Sequence, residues 1–295
     1  MTSIVITAFK EKNIGKAIDS ALKQKTKHAY DILVVAPDKE TLDIAKKYSK
    51  TYKKVKLFKD PGKGKMFALN LLFKKIKNEE ILILTDGDVW ISDNVVEEVS
   101  NMFKDSNIGC LTGRPVAIEN KKTKYGYWAN FLFDAAHKIR KKAFENNEFI
   151  ECSGYLFAFR SNKKISIPLD TAEDSIIPYY FWNKGYKIGY LENAKVYVKN
   201  VDNWKDWIKQ KVRTSKAHET LEKYMDTKKT PRVKSFGTEM KGIYSLFGYP
   251  KNLKEFYWSF LLAMSRFYMW IIVFYNHKFR KIGKVDNWER IDSAR

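Results

Sequence analysis

Residues 81–85, Ile-Leu-Ile-Leu-Thr, form an unbroken apolar run that ends directly in Asp86-Gly87-Asp88. A run this long without polar alternation fits a strand covered on both faces, as in a parallel sheet sandwiched between helices. The residues before it agree. Ile4-Val5-Ile6-Thr7-Ala8 is a first β-rich run, followed by Ile14, Ala17, Ile18, Ala21 and Leu22 at helical spacing. Asp31-Ile32-Leu33-Val34-Val35 repeats the strand signal, and Asp38 is placed to cap a helix carrying Leu42, Ala45 and Tyr48. Residues 55–58 read as a third strand, and Asp60-Pro61-Gly62-Lys63-Gly64-Lys65 leads into a helix with Met66, Leu69, Leu72, Phe73 and Ile76. Four βα units in succession predict an α/β fold with an open, mostly parallel sheet flanked by helices and ligands at the carboxyl ends of its strands. Further strands are expected at 108–112, 155–160, 187–191 and 195–199, and an amphipathic helix over 203–224.

A chain of 295 residues holds about two domain lengths, or one large α/β domain with an appendage. Its 44% hydrophobic and 15% aromatic content excludes a disordered tail, a collagen-like repeat and a polytopic transporter. The balance of 55 Lys and Arg against 34 Asp and Glu, a net +21, draws the chain towards polyanions: nucleic acid, anionic lipid head groups or phosphorylated substrates. Cys110 and Cys152 are too few for a disulfide framework, so buried thiols in a reducing compartment are expected. The strand signal begins at once after Met1, which leaves no room for a secretory leader and predicts a cytoplasmic location. His28, His137, His218 and His277 lack metal-ligand spacing; His218-Glu219 is the pair to look for near a cleft.

The composition changes near residue 256. From there to 275 the chain is dominated by aromatic and aliphatic residues, interrupted mainly by Ser259, Ser265 and Arg266. About 20 such residues are enough to span a bilayer. Arg266 in mid-segment and the weight of aromatics favour instead a helix lying in the membrane interface, with spanning as second choice and a packed core helix as third. The chain therefore divides into a main domain, 1–225, and an extension, 226–295, expected to meet an anionic membrane surface. The aromatic stretch 125–133 fits a binding groove or core packing equally.

Three small groups could carry chemistry. In extended backbone Asp86 and Asp88 point to the same side, and Gly87 between them allows close approach. Two hard oxygen donors at a strand end suit Mg²⁺ or Mn²⁺, whose shell is completed by water and substrate phosphates. Glu173-Asp174 opens a helix-like segment whose positive dipole end favours ionised carboxylates. Gln210 and Arg213, three apart on a helix, share a face and could meet one anionic ligand.

In their order along residues 3–219 these segments resemble the inverting glycosyltransferases of family 2, built on the nucleotide-sugar-binding GT-A fold. The similarity lies in Ile4-Val5-Ile6-Thr7-Ala8-Phe9-Lys10-Glu11 with Asn13-Ile14, in Gly62-Lys63-Gly64-Lys65 through Ala68-Leu69-Asn70, and in Asp86-Gly87-Asp88 at the position of the D-x-D. It continues in Ser153-Gly154-Tyr155, in Glu173-Asp174 with Gly185-Tyr186, and in Gln210 to Arg213 as the start of Q-x-x-R-W. The resemblance implies transfer of a hexosyl-type sugar from a nucleotide-sugar. Asp88 would hold the divalent ion and Asp86 the ribose or the metal shell, and Asp174 would be the general base. Glu173 would orient the acceptor or tune Asp174. Gln210, Arg213 and Lys65 would hold the diphosphate, and Phe9 and Glu11 would meet the base and ribose.

Two departures shape the reading. Where the family often carries two acids after the second strand, this chain has Ala36-Pro37-Asp38, so Asp38 stands as the single acid and the base is left open. The Trp that ends Q-x-x-R-W in processive polymer synthases is Thr214 here, which favours transfer of a single sugar in glycan biosynthesis. An acid pair serves a hydroxyl acceptor, on a free or lipid-linked saccharide, better than an already ionised polyprenyl phosphate, which is the alternative acceptor. A basic nucleic-acid-binding protein is the rival of another class, but the basic residues are spread along the chain and no such motif is present.

Overall fold

The computed structural model describes residues 1–226, 230, 236–237, 239 and 245–276, with the side chains of 216–219 left out. His277 and the side chains of His218 and Glu219 therefore lie outside the described residues.

The expected succession of four strands with helices between them is present. β1 (Thr2–Thr7), β2 (Tyr30–Ala36), β3 (Val55–Lys59) and β4 (Ile81–Asp86) alternate with α1 (Ile14–Leu22), α2 (Lys39–Thr51) and α3 (Lys65–Lys75). β1 is buried along its whole length and β4 at its four central residues, the burial on both faces that an unbroken apolar run implies. α1 turns Ile14, Ala17, Ile18 and Ala21 inward. Asp38 caps α2 as expected, its carboxylate accepting the Thr41 N–H.

After β4 come a short β5 (Trp90–Ile91), α4 (Val95–Met102), β6 (Ile108–Ala117), α5 (Lys124–Glu145), β7 (Leu156–Arg160), α6 (Glu173–Trp182) and β8 (Lys187–Val198). The strand order is β3-β2-β1-β4-β7-β6-β8-β5. The expected parallel pairing holds for β1 to β4 and again between β6 and β8. β7 inserts antiparallel between β4 and β6, and β5 runs antiparallel to β8, so the sheet is mixed. β7 follows α5 and the loop at Ser153–Gly154, and it runs against both of its neighbours. The two strands expected at 187–191 and 195–199 are one, β8, with a register shift opposite Gly113 and Arg114.

Two apolar cores cover the faces of the sheet. Cys110 and Cys152 are both free and buried in one of them, as expected. A third core joins α5 to the C-terminal helices: α7 (Trp204–Glu219), a 3-10 turn at Thr220–Lys223, α8 (Ser245–Gly248) and α9 (Leu253–Tyr275). Here Tyr127, Trp128 and Phe131 pack against Trp207, Leu246 and Leu262. The Tyr127 hydroxyl meets the Ser259 hydroxyl at 2.7 Å, and Trp128 Nε1 donates to the Trp258 carbonyl at 2.8 Å.

α9 corrects one premise of the sequence reading. Arg266 is not a lone charge, because its guanidinium pairs with Glu239, which also accepts from Trp270 Nε1 at 3.0 Å. Ser259 and Ser265, which interrupt the aromatic run, lie on the buried face with Leu262, Met269, Trp270 and Val273. Small residues allow α9 to approach α5 and α7 closely, while Phe256, Tyr257, Phe260, Met264, Phe267, Tyr268, Ile271 and Phe274 point outward.

Candidate active site

The strand tips bring the acidic tripeptide and the acidic pair together. Thr7 and Asp86 are register partners at the carboxyl ends of β1 and β4, and Thr7 Oγ1 donates to Asp86 Oδ1 at 3.0 Å. Gly87 N–H donates to the Thr7 carbonyl at 2.9 Å. A Cβ on Gly87 would lie 2.7 Å from Ala8 Cβ, so the close approach that glycine permits here is that of β1.

Lys65 at the start of α3 is the hinge of the cluster. Gly64, with φ of +101°, turns the chain so that Lys65 Nζ reaches Asp86 Oδ1 at 2.7 Å and Glu173 Oε1 at 2.5 Å. Burial alone would lower the lysine pKa. The two carboxylates outweigh it and hold the ammonium well above its ordinary value, so Lys65 stays charged. Glu173 is 4% exposed and turned towards this ammonium, while its neighbour Asp174 faces the open site. The two acids at the head of α6 thus serve different surroundings. Asp174 Oδ2 accepts the Gly154 N–H at 2.9 Å, and a Cβ on Gly154 would crowd that carboxylate at 3.3 Å.

Asp86, Asp174, Gly154, Tyr155, Gln210 and Arg213 all line one cavity of about 690 Å³. Tyr155 lies among them. Burial chiefly, then the charges of Asp88, Asp86 and Asp174 against Arg213, hold its hydroxyl well above the usual phenol range, so it remains protonated as a donor. Tyr155 is a site residue that its motif alone does not single out; the available signal is its position directly after the small-Gly pair Ser153-Gly154. Gln210, 9% exposed, carries a buried Oε1 beside the same cavity, without a hydrogen-bond partner among the described residues.

Phe9, Glu11 and Asp38 gather at the neighbouring tips of β1 and β2. Asp38 Oδ2 accepts from the Lys10 N–H at 2.8 Å, and Lys10 takes a φ of +48° to reach it. Burial pushes the Asp38 carboxyl up, but its hydrogen bonds from Lys10 and Thr41 outweigh this and hold it below the ordinary value. Glu11 is 2% exposed, its Oε1 accepting from Asn13 N–H at 2.8 Å and its own N–H donating to Thr41 Oγ1 at 2.9 Å. Both acids brace the β1–α1 turn onto α2. The remaining histidines take structural places: His137 Nδ1 meets the Tyr190 hydroxyl at 2.7 Å, and His28 lies 3.8 Å from Glu97.

Among the described residues no group of three or more His, Cys, Asp or Glu forms a metal cage. The donor set for a hard cation is the Asp86–Asp88 pair, with one Asp86 oxygen already shared by Lys65 and Thr7. These residues fit an ion that arrives with phosphate ligands to complete its shell.

A sequence model described as Glycosyl transferase family 2 matches residues 3–165, more than half of the chain. The chain belongs to glycosyl transferase family 2. A search of curated proteins returns no significant match. Among solved structures, the mannosyltransferase PcManGT from Pyrobaculum calidifontis, in complex with GDP-Man and Mn²⁺, superposes with a TM-score of 0.63 at 12% identity, over 94% of this chain and 88% of that one. S. aureus TarS 1-349 in complex with UDP-GlcNAc gives a TM-score of 0.49 at 13% identity, over 95% and 91%. This family 2 chain is a glycosyltransferase with a GT-A type fold. The family match ends before Glu173, so the placement of Asp174, Gln210 and Arg213 rests on the geometry above.

Proposed function

We propose that the chain is an inverting, metal-dependent glycosyltransferase that moves a single sugar from a nucleotide-sugar to a hydroxyl of a free or lipid-linked saccharide. One observation carries the reading: Asp174 opens onto the same cavity as Asp86, with the protonated Tyr155 and the Arg213 side chain on the shared wall. A carboxylate there is placed to take the proton of an acceptor hydroxyl while the sugar is attacked from the face opposite its leaving group. Gly154 N–H fixes the orientation of that carboxylate. Arg213 and Gln210 would hold the diphosphate, Lys65 would set the charge of Asp86, and Phe9, Glu11 and Asp38 would form the base and ribose end. Asp88, with Asp86, would hold Mg²⁺ or Mn²⁺; when bound, the ion neutralises charge on the departing diphosphate. The GDP-Man and Mn²⁺ held by PcManGT support a donor and an ion of these classes.

The membrane surface enters the proposal through α9. A helix with serines inside and Phe256, Phe260, Phe267 and Ile271 about half exposed suits an apolar surrounding, and the net charge of +21 suits anionic head groups. We place the enzyme on the cytoplasmic face of the cell membrane.

A thermal-shift series with GDP- and UDP-sugars, with and without Mn²⁺, tests the donor end. A saturating donor at one hundred times its Kd should add about 2.7 kcal/mol of stability. Stabilisation that ignores the metal would reject the Asp88 role, and a product that keeps the donor's anomeric configuration by NMR would reject inversion. Salt-sensitive oligonucleotide binding without any nucleotide-sugar effect would favour the nucleic-acid reading.

A further inference from the structure

The cavity that holds Asp86 and Asp174 has two kinds of wall. Its polar part is the cluster described above. The remainder is mainly hydrocarbon and aromatic, supplied by Leu132, Ala135 and Ala136 of α5 and by Leu262 and Ala263 of α9. Two of the charged groups on this wall have partners within the protein: Arg140 Nε donates to the Glu151 carbonyl at 3.1 Å, and Arg266 pairs with Glu239. Ile139, Met264 and Phe267 line the same cavity yet are 50%, 53% and 51% exposed, so they form an apolar rim open to the outside. Met264 and Phe267 also belong to the outward aromatic face of α9, which makes chamber and face continuous.

A free saccharide does not suit such a wall, because each hydroxyl withdrawn from water without a partner is costly, which leaves the lipid-linked form of the acceptor. A hydrocarbon chain gains from burial there, and about 690 Å³ lies within the range of small-molecule sites, roughly 300–1,000 Å³. We propose that the acceptor is a membrane lipid. Its hydroxyl-bearing head group reaches Asp174, and its hydrocarbon tail occupies the chamber between α5 and α9, crossing the rim of Ile139, Met264 and Phe267 from the bilayer side. The inference rests on the transferase reading and adds the class of the acceptor.

The test uses the full chain and a C12 alcohol labelled with dansyl at its far end. Wild type should bind the probe saturably with blue-shifted emission. Ile139→Asp places a charge on the rim at an exposed position, and Ala136→Trp fills the chamber; each should weaken binding tenfold or more. Ala136→Leu should weaken it by an intermediate factor and covers the case in which the tryptophan variant does not fold. Stabilisation by GDP or UDP with Mn²⁺, measured on the same preparations, should be retained and reports the donor end separately. Equal probe affinity in wild type and both filled and charged variants would overturn the lipid acceptor, as would absence of probe binding by a wild type that binds nucleotide. Loss of all nucleotide binding in wild type would instead remove the transferase reading, while the probe still judges the chamber.

Discussion

The two ends of the cleft are built from different materials. At the strand tips, charged side chains are fixed by short hydrogen bonds to one another and to backbone: Lys65 between Asp86 and Glu173, Asp174 on Gly154, Asp38 on Lys10 and Thr41. At the helical end, α5, α7 and α9 meet mainly through aromatic rings and aliphatic side chains. A charged site needs defined positions, since a misplaced buried ion costs kilocalories. An apolar chamber needs only volume and the absence of polar demand. Substitutions should therefore act through charge and geometry at one end and through bulk at the other.

The sharpest separation is expected at Asp174. Asp174→Asn keeps an oxygen for the Gly154 N–H but loses the base, so kcat should fall by about 10²–10⁴-fold while nucleotide-sugar binding persists. Steady-state kinetics beside calorimetric titration of the donor would decide it, and joint loss of both would make the residue structural. Lys65→Met comes next. It leaves Glu173, 4% exposed, without its ammonium, and unfolding in urea should show a loss of about 3–5 kcal/mol. Adding Glu173→Gln should recover much of that loss; an additive double variant would deny the coupling.

Gly87→Ala should destabilise by about 1–3 kcal/mol, because the new Cβ falls 2.7 Å from Ala8 and two neighbouring strand ends must separate. Asp38→Ala removes a helix cap and should cost about 1 kcal/mol. Its folded-state pKa lies below the unfolded value of about 3.9. Its contribution is therefore present above that pH and lost as pH falls through the folded pKa. The variant should accordingly show a flatter acid arm in a stability profile, and an unchanged arm would show that the carboxylate does not act through its charge.

The same contrast explains what the sequence disclosed. Periodicity reports burial, so β1, α1 and β4 were legible residue by residue, and the acids at strand ends followed from them. The reversed β7 was not, because burial on both faces reads alike in parallel and antiparallel strands. Nor was the partnership of Lys65 with Glu173, whose positions are far apart in the chain and meet only through α3 and α6. The ion pair of Arg266 was hidden for the same reason: Glu239 lies 27 residues away, and a charge within an aromatic run looks solitary until its partner is placed.

The outer face of α9 gives the smallest effect on folding and the clearest test of what the helical end is for. Phe260 is half exposed and points away from α5 and α7, so Phe260→Ser should change stability by no more than about 0.5 kcal/mol. If that face meets lipid, the same substitution should lower co-sedimentation with anionic phosphatidylglycerol vesicles, and Phe260→Ser with Phe267→Ser should lower it further. Neutral phosphatidylcholine vesicles should bind more weakly than anionic ones, and added salt should narrow the difference, because the net charge of +21 acts only within a Debye length. A large loss of stability with unchanged sedimentation would mean that Phe260 is covered by protein, and would move the outward face of α9 from the membrane into a protein core.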